Sequence, residues 1–84
     1  MTFSIRIKES AARSLHKIPK PDRIRLIDAI DRLRERPSAG GTLKGEFAGL
    51  RRLRVGRYRI IYEVMEEELI ILVVRIGHRK DAYR

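Results

Sequence analysis

The sequence predicts a single α+β domain: an N-terminal strand, an antiparallel helix pair, then a three-stranded antiparallel meander completing a four-stranded sheet. Three observations carry that prediction. Apolar residues recur with period two near the N-terminus and again past the middle of the chain, with helical spacing between. Pro19 and Pro37 punctuate the helical stretch. Gly56-Arg57 interrupts an alternating run, which suits a tight two-residue hairpin loop. With 84 residues, one domain over 1–84 leaves no room for a second core.

Phe3-Ser-Ile-Arg-Ile7 alternates and reads as the first strand. A short helix follows, roughly Ser10 to Ile18, with Ala11, Ala12, Leu15 and Ile18 at helical spacing, and Pro19 stops it. Pro21 stands where a first helical residue would, and a second helix runs to about Arg36 before Pro37. Ile24, Ile27, Ile30 and Leu33 form its stripe, widened by Leu26 and Ala29. So short a connection makes the helices an antiparallel pair. Residues 37–49 carry four glycines and read as a loop, anchored on the core by Leu43 and Phe47. Strands then cover about 50–55, 58–65 and 68–76. The last, Leu69-Ile-Ile-Leu-Val-Val, is apolar on both faces, as for a strand covered on two sides. It belongs between the 58–65 strand and the N-terminal strand.

Composition narrows the function. Cysteine is absent, which removes disulfides, thiolate nucleophiles and zinc knuckles. No carboxylate or histidine cluster has the spacing of a metal site. The N-terminus lacks a long apolar run, so it reads as neither signal peptide nor membrane span, and the expectation is a soluble cytoplasmic protein. Net charge is +9. Residues 37–62 hold six basic and one acidic side chain, whereas 63–74 hold four acidic and none basic. Such a domain favours nucleic acid, or an acidic protein covering the same surface.

The basic residues concentrate in Leu50-Arg51-Arg52-Leu53-Arg54-Val55-Gly56-Arg57-Tyr58-Arg59-Ile60-Ile61-Tyr62. A turn at Gly56-Arg57 sets Val55 opposite Tyr58, Arg54 opposite Arg59, and Leu53 opposite Ile60. Side chains alternate along a strand, so Arg52, Arg54 and Arg59 crowd one face. Leu53, Val55, Tyr58, Ile60, Tyr62 and Val64 take the other. Like charges directly opposed destabilise a sheet, which points to a partner supplying negative charge, phosphate above all. The last strand returns antiparallel, so Arg79 and Tyr83 come back toward Arg54 and Arg59.

These residues resemble the RelE family of bacterial and archaeal toxins, within the RelE/ParE superfamily. The likeness covers nearly the whole chain. It rests on the element order, on Leu43-Lys44-Gly45, on Leu53 through Tyr62, and on Val74-Arg75-Ile76-Gly77-His78-Arg79-Lys80-Asp81-Ala82-Tyr83-Arg84. The resemblance implies a sheet of the microbial-ribonuclease type, entry into the 30S A site of the ribosome, mRNA cleavage there, and a cognate antitoxin that neutralises the protein. It implies no cofactor. By position, Arg52, Arg54 and Arg59 look like the family's basic residues on the central strands, Arg79 like the basic residue after the last strand, and Tyr83 like its C-terminal tyrosine.

RNA cleavage without a metal uses the neighbouring 2′-hydroxyl as nucleophile. The enzyme must help remove its proton, neutralise a phosphorane-like transition state and protonate the leaving 5′-oxygen. Arginine suits the second task, since it stays charged and forks onto phosphate oxygens. Arg54, Arg59 and Arg79 are expected in that role. Tyr83 is expected to stack on a base or orient the nucleophile. Lys44, Arg51, Arg52, Arg57 and Lys80 are expected RNA contacts. Where the best-known family pattern has lysine on the first strand of the cluster, this chain has arginine at 52 and 54. A guanidinium with a pKa above roughly 12 is a poor general base. Lys44, His78 or no dedicated base stay open, His78 being the most economical because histidine titrates near neutrality. An inhibitor of DNA gyrase like ParE, and an RNA-binding module without catalysis, are the alternatives.

Other polar groups have plainer readings. His16 has no role. Tyr58 and Tyr62 share the apolar face and belong to the core. Asp28 and Asp31 sit among arginines as intrahelical ion pairs, and Glu66, Glu67 and Glu68 keep a turn soluble.

Overall fold

The computed structural model describes residues 2–45 and 48–78. In chain order these form β1 (Ser4–Ile7), α1 (Glu9–His16), α2 (Lys20–Arg32), a 3₁₀ turn (Pro37–Ala39), β2 (Gly41–Thr42), β3 (Arg51–Val55), β4 (Tyr58–Met65) and β5 (Ile70–His78). They build one sheet of five strands in the order β1-β5-β4-β3-β2. β1 runs parallel to β5, and the remaining neighbours are antiparallel. The α+β architecture and the central place of β5 match the sequence expectation. The fifth strand does not: Gly41 and Thr42 pair with Arg52 and Arg51, extending the sheet by a short edge.

Both helices cover one face. Ala11, Leu15 and Ile18 from the α1 segment and Leu26, Ile30 and Leu33 from the α2 segment pack with Ile60, Tyr62, Ile71, Val73 and Ile76 in one core. Spacing of 26, 29, 30 and 33 is a compact helical stripe. The expected stripe was set too far round the helix: Ile24 and Ile27 are 55% and 49% exposed. Helix α2 also stops at Arg32. The N–H groups of Leu33, Arg34 and Glu35 return to Ile30, Asp31 and Arg32, three residues back, so its last turn tightens and ends. Among the described residues no helix covers the far face of β5, where Ile70, Leu72 and Val74 are half-buried.

Strand β5 carries an irregularity that decides which residues reach each face. Tyr62 pairs with Val73 but Ile61 pairs with Arg75, so Val74 is an extra residue on β5. Strict alternation from Ile71 and Val73 would drive Arg75 into the core. The bulge resets the phase. Ile76 enters the core at 2% exposure and Arg75 turns to the opposite face. It also carries the strand past the expected end at 76 to His78.

Tyr62 fastens the loop after α2 to the sheet. Its side chain is fully buried. The hydroxyl donates to the Pro37 carbonyl at 2.7 Å and accepts from the Gly40 N–H at 2.9 Å. Arg51 Nη1 donates to the Gly40 carbonyl at 2.7 Å. Gly40 is required by proximity, since a Cβ there would lie 2.6 Å from the Arg52 carbonyl oxygen and 2.8 Å from the phenol. Burial pushes the Tyr62 phenol above its ordinary pKa, while the Gly40 hydrogen bond and the charge of Arg51 pull it part of the way back.

Candidate nucleic-acid interface

The site is built on the β3–β4 hairpin. Gly56 takes φ of 59°, the left-handed region that a two-residue turn needs and glycine enters without steric cost. The register is the one read from the sequence: Val55 opposite Tyr58, Arg54 opposite Arg59, Leu53 opposite Ile60. Directly opposed residues share a face, with Cβ atoms about 4.5–5.5 Å apart.

Two rows therefore cross the face turned away from the helices. Arg54, Arg59 and Gly77 form the first, from β3, β4 and β5 in turn. Arg52, Ile61 and Arg75 form the second. Arg54 and Arg75 are exposed, Arg52 and Arg59 half-buried, with the Arg59 Nε atom itself out of solvent. Further along β4 the same face carries Glu63 opposite Leu72 and Met65 opposite Ile70. Arg6 of β1 lies in the row of Glu63 and Leu72, beside a carboxylate, so the arginines grouped together on this face are those of the hairpin end. Guanidinium groups held by two rigid strands present several forked donors to one anion, which suits a phosphodiester.

The remaining candidates divide. Arg57 is exposed at the hairpin tip. Lys44 is exposed in the loop between β2 and β3, just past the Leu43 N–H bond to the Leu50 carbonyl. Arg51 is not on the basic face: it shares the face of Tyr62, its opposite number, and its guanidinium holds Gly40. His78 is also turned away from Arg54 and Arg59. It lies opposite Tyr58 and meets that ring edge-on, centroids 6.0 Å apart, on the helix-bearing face. Arg79, Lys80 and Tyr83 lie outside the described residues, as does Phe47. Arg75 was missed by the sequence reading. Its placement depends on the phase change between Val73 and Ile76, which only the observed register reveals.

Comparison with known proteins agrees with this architecture. A family model for the ParE toxin of the type II toxin–antitoxin system parDE matches residues 5–83. The chain is 33% identical, over 100% of its length and 99% of the relative's, to Toxin RelG of Mycobacterium tuberculosis. Among solved structures it is similar to a chain of the toxin–antitoxin complex RelBE2 from Mycobacterium tuberculosis, with TM-score 0.88, 28% identity, and 94% and 100% of the two chains covered. It is similar too to a chain of the archaeal RelE–RelB complex from Pyrococcus horikoshii, with TM-score 0.79, 28% identity, and 98% and 100% covered.

Proposed function

Because this chain belongs to the RelE/ParE superfamily of type II toxins, we propose that it is a ribosome-dependent endoribonuclease that cuts mRNA in the A site. The observation that carries this reading is the opposed pair Arg54 and Arg59, with Arg52 and Arg75 in the adjoining row. The 2′-oxygen of the preceding nucleotide bonds to phosphorus as the bond to the 5′-oxygen breaks. Arg54 and Arg59 neutralise the charge gathering on the phosphorane oxygens, and Arg52 positions the backbone. Arg79 adds a cation from the C-terminus and Tyr83 orients or stacks on the nucleotide. The position of His78 beside Tyr58 favours Lys44 or no dedicated base for the first proton transfer. On this reading transition-state neutralisation carries most of the rate. Toeprinting on translating ribosomes with purified protein tests it: cuts within A-site codons are expected, and an intact message refutes it.

The likeness to toxin–antitoxin complexes supports a cognate antitoxin as partner. A groove of about 460 Å³ between α2 and β3 has Ala29, Leu33 and Leu53 on its floor and Arg25, Arg32 and Arg54 at its rim. That combination fits an acidic amphipathic segment, with apolar anchors below and carboxylates above. Arg54 is common to the groove and the basic face, so such a segment would compete directly with RNA. Purified protein mixed with the acidic product of a neighbouring short reading frame is expected to stop cutting messages.

A second reading follows from the family model, which describes ParE toxins: inhibition of DNA gyrase without RNA cleavage. Fold alone does not separate the two. Loss of gyrase supercoiling in the protein's presence, with messages left intact, would establish the second.

A further inference from the structure

Strand β1 reaches only part of the way along β5. Its pairing ends at Ile7 opposite Val73, and the Lys8 N–H makes the last bond, to the Val73 carbonyl, before the chain turns into α1. Beyond that point the outer edge of β5 is not paired by β1. A cavity of about 430 Å³ opens there, between Val74, Arg75, Ile76 and Gly77 on one side and Lys8, Ser10, Ala11 and Ser14 on the other. Among the described residues its lining holds two cations, two hydroxyls and no carboxylate.

We infer that this pocket is a second phosphate subsite, which takes the backbone of the RNA next to the scissile linkage and grips it with Arg75 and Lys8. The inference rests on the ribonuclease reading for the identity of the nucleic acid. Three features support it. The bulge at Val74 turns Arg75 out of the core and sets it in the row of Arg52. Gly77, which lines the pocket, lies directly opposite Arg59 in the next row. It puts no side chain between the arginine pair and the cavity. Neighbouring strands are about 4.8 Å apart, so Arg75 stands one strand from Arg59 and two from Arg54, on the scale of consecutive backbone phosphates. Arg75 and Lys8 thus offer further cations, across β5 and at its edge, to a strand of RNA held at Arg54 and Arg59. An acidic polypeptide is the competing occupant. The pocket favours phosphate over it because its lining is mainly polar and cationic, whereas the α2–β3 groove supplies the apolar floor a peptide needs.

The test measures binding of a short fluorescein-labelled single-stranded RNA, with 2′-O-methyl riboses to block cleavage, across a salt series. Each phosphate contact on a single strand contributes about 0.7 to the slope of log affinity against log salt. Arg75→Ala and Lys8→Ala are each expected to weaken binding and lower the slope by about 0.7, and Arg75→Lys to restore it. Lys20→Ala, which removes the same charge at the start of α2, is expected to keep the full slope. Melting temperatures identify any variant that fails to fold, and Arg75→Lys then carries the comparison. Equal slopes for Arg75→Ala, Lys8→Ala and Lys20→Ala would overturn the subsite. So would unchanged RNA binding with lost affinity for the acidic partner, which would assign the pocket to protein. Cleavage by the unaltered chain is read separately. Uncut messages with Arg75-dependent RNA binding would remove the nuclease and leave the subsite standing.

Discussion

Arginines on α2 and arginines on the β3–β4 hairpin are set among opposite neighbours. On the helix segment two of them hold a carboxylate one turn away: Arg32 bonds Asp28 and Arg34 bonds Asp31, both at 3.0 Å. On the hairpin the residue opposite Arg54 is Arg59. Helix pairs of this kind contribute about 0.2–0.5 kcal/mol, and like charges opposed across strands cost a comparable amount. Neither term decides whether the chain folds. The contrast lies in what each surface offers a partner: the helix segment sets two of its arginines beside its own carboxylates, while the hairpin sets like charges side by side, a field that a polyanion can use.

The largest expected effect breaks the hairpin side of that contrast. Arg54→Ala leaves an exposed strand position without its cation. If Arg54 acts on the developing charge of the transition state, cleavage should fall by about 10²–10³, the usual loss when one preorganised donor is removed. Folding stability should hold or rise by a few tenths of a kcal/mol, because one member of a like-charged pair is gone. Single-turnover cleavage on ribosome complexes and urea denaturation measure the two. An unchanged rate removes Arg54 from the chemistry.

Next in size is the pin that holds the hairpin in place. Arg51 and Arg52 are adjacent in sequence but face opposite ways, one fastening Gly40 and the other open to a ligand. Tyr62→Phe strips the buried Gly40 N–H and the Pro37 carbonyl of their partner and should cost about 1–3 kcal/mol. Gly40→Ala drives a methyl against backbone and should cost about as much. Both should appear in denaturation midpoints. Tyr62 also predicts a pH dependence. Its folded-state pKa lies above the ordinary value of 10.0, so the neutral phenol contributes stability that is complete below that pH. That contribution is lost as pH climbs through the raised pKa. Stability should therefore drop on the alkaline side, and Tyr62→Phe should abolish that part of the drop. An identical alkaline profile in the variant would assign it to other groups.

How much of this was legible in the sequence follows from how local each determinant is. The hairpin register could be read because Gly56-Arg57 breaks a clean alternation, and one turn then places ten residues. The bulge could not, because Val73 and Val74 are both apolar and only packing against the helices chooses which one enters the core. With the bulge went Arg75. On α2, six apolar positions span too wide an arc for periodicity to choose among them. Contact with β-strands far away in sequence selected Leu26, Ile30 and Leu33 and left Ile24 and Ile27 outside. The two-residue strand β2 is too short for any alternation to be read, and Gly41 and Thr42 pair beside Gly40, which Tyr62 and Arg51 hold to the sheet.

The smallest effect sharpens the comparison from the helix side. Asp31→Asn breaks the pair with Arg34, whose side chains are 66% and 48% exposed. Exposed pairs are strongly screened, so the expected loss is about 0.2–0.5 kcal/mol at low salt. It should vanish as ionic strength rises. Arg54→Ala should respond to salt in the opposite sense: its slight gain at low salt should shrink as the repulsion it relieved is screened anyway. Paired denaturation curves at low and high salt therefore test both surfaces at once. Two variants moving in the same direction with salt would show that the hairpin arginines are neutralised within the fold as Arg32 and Arg34 are, and the case for a polyanion on that face would weaken accordingly.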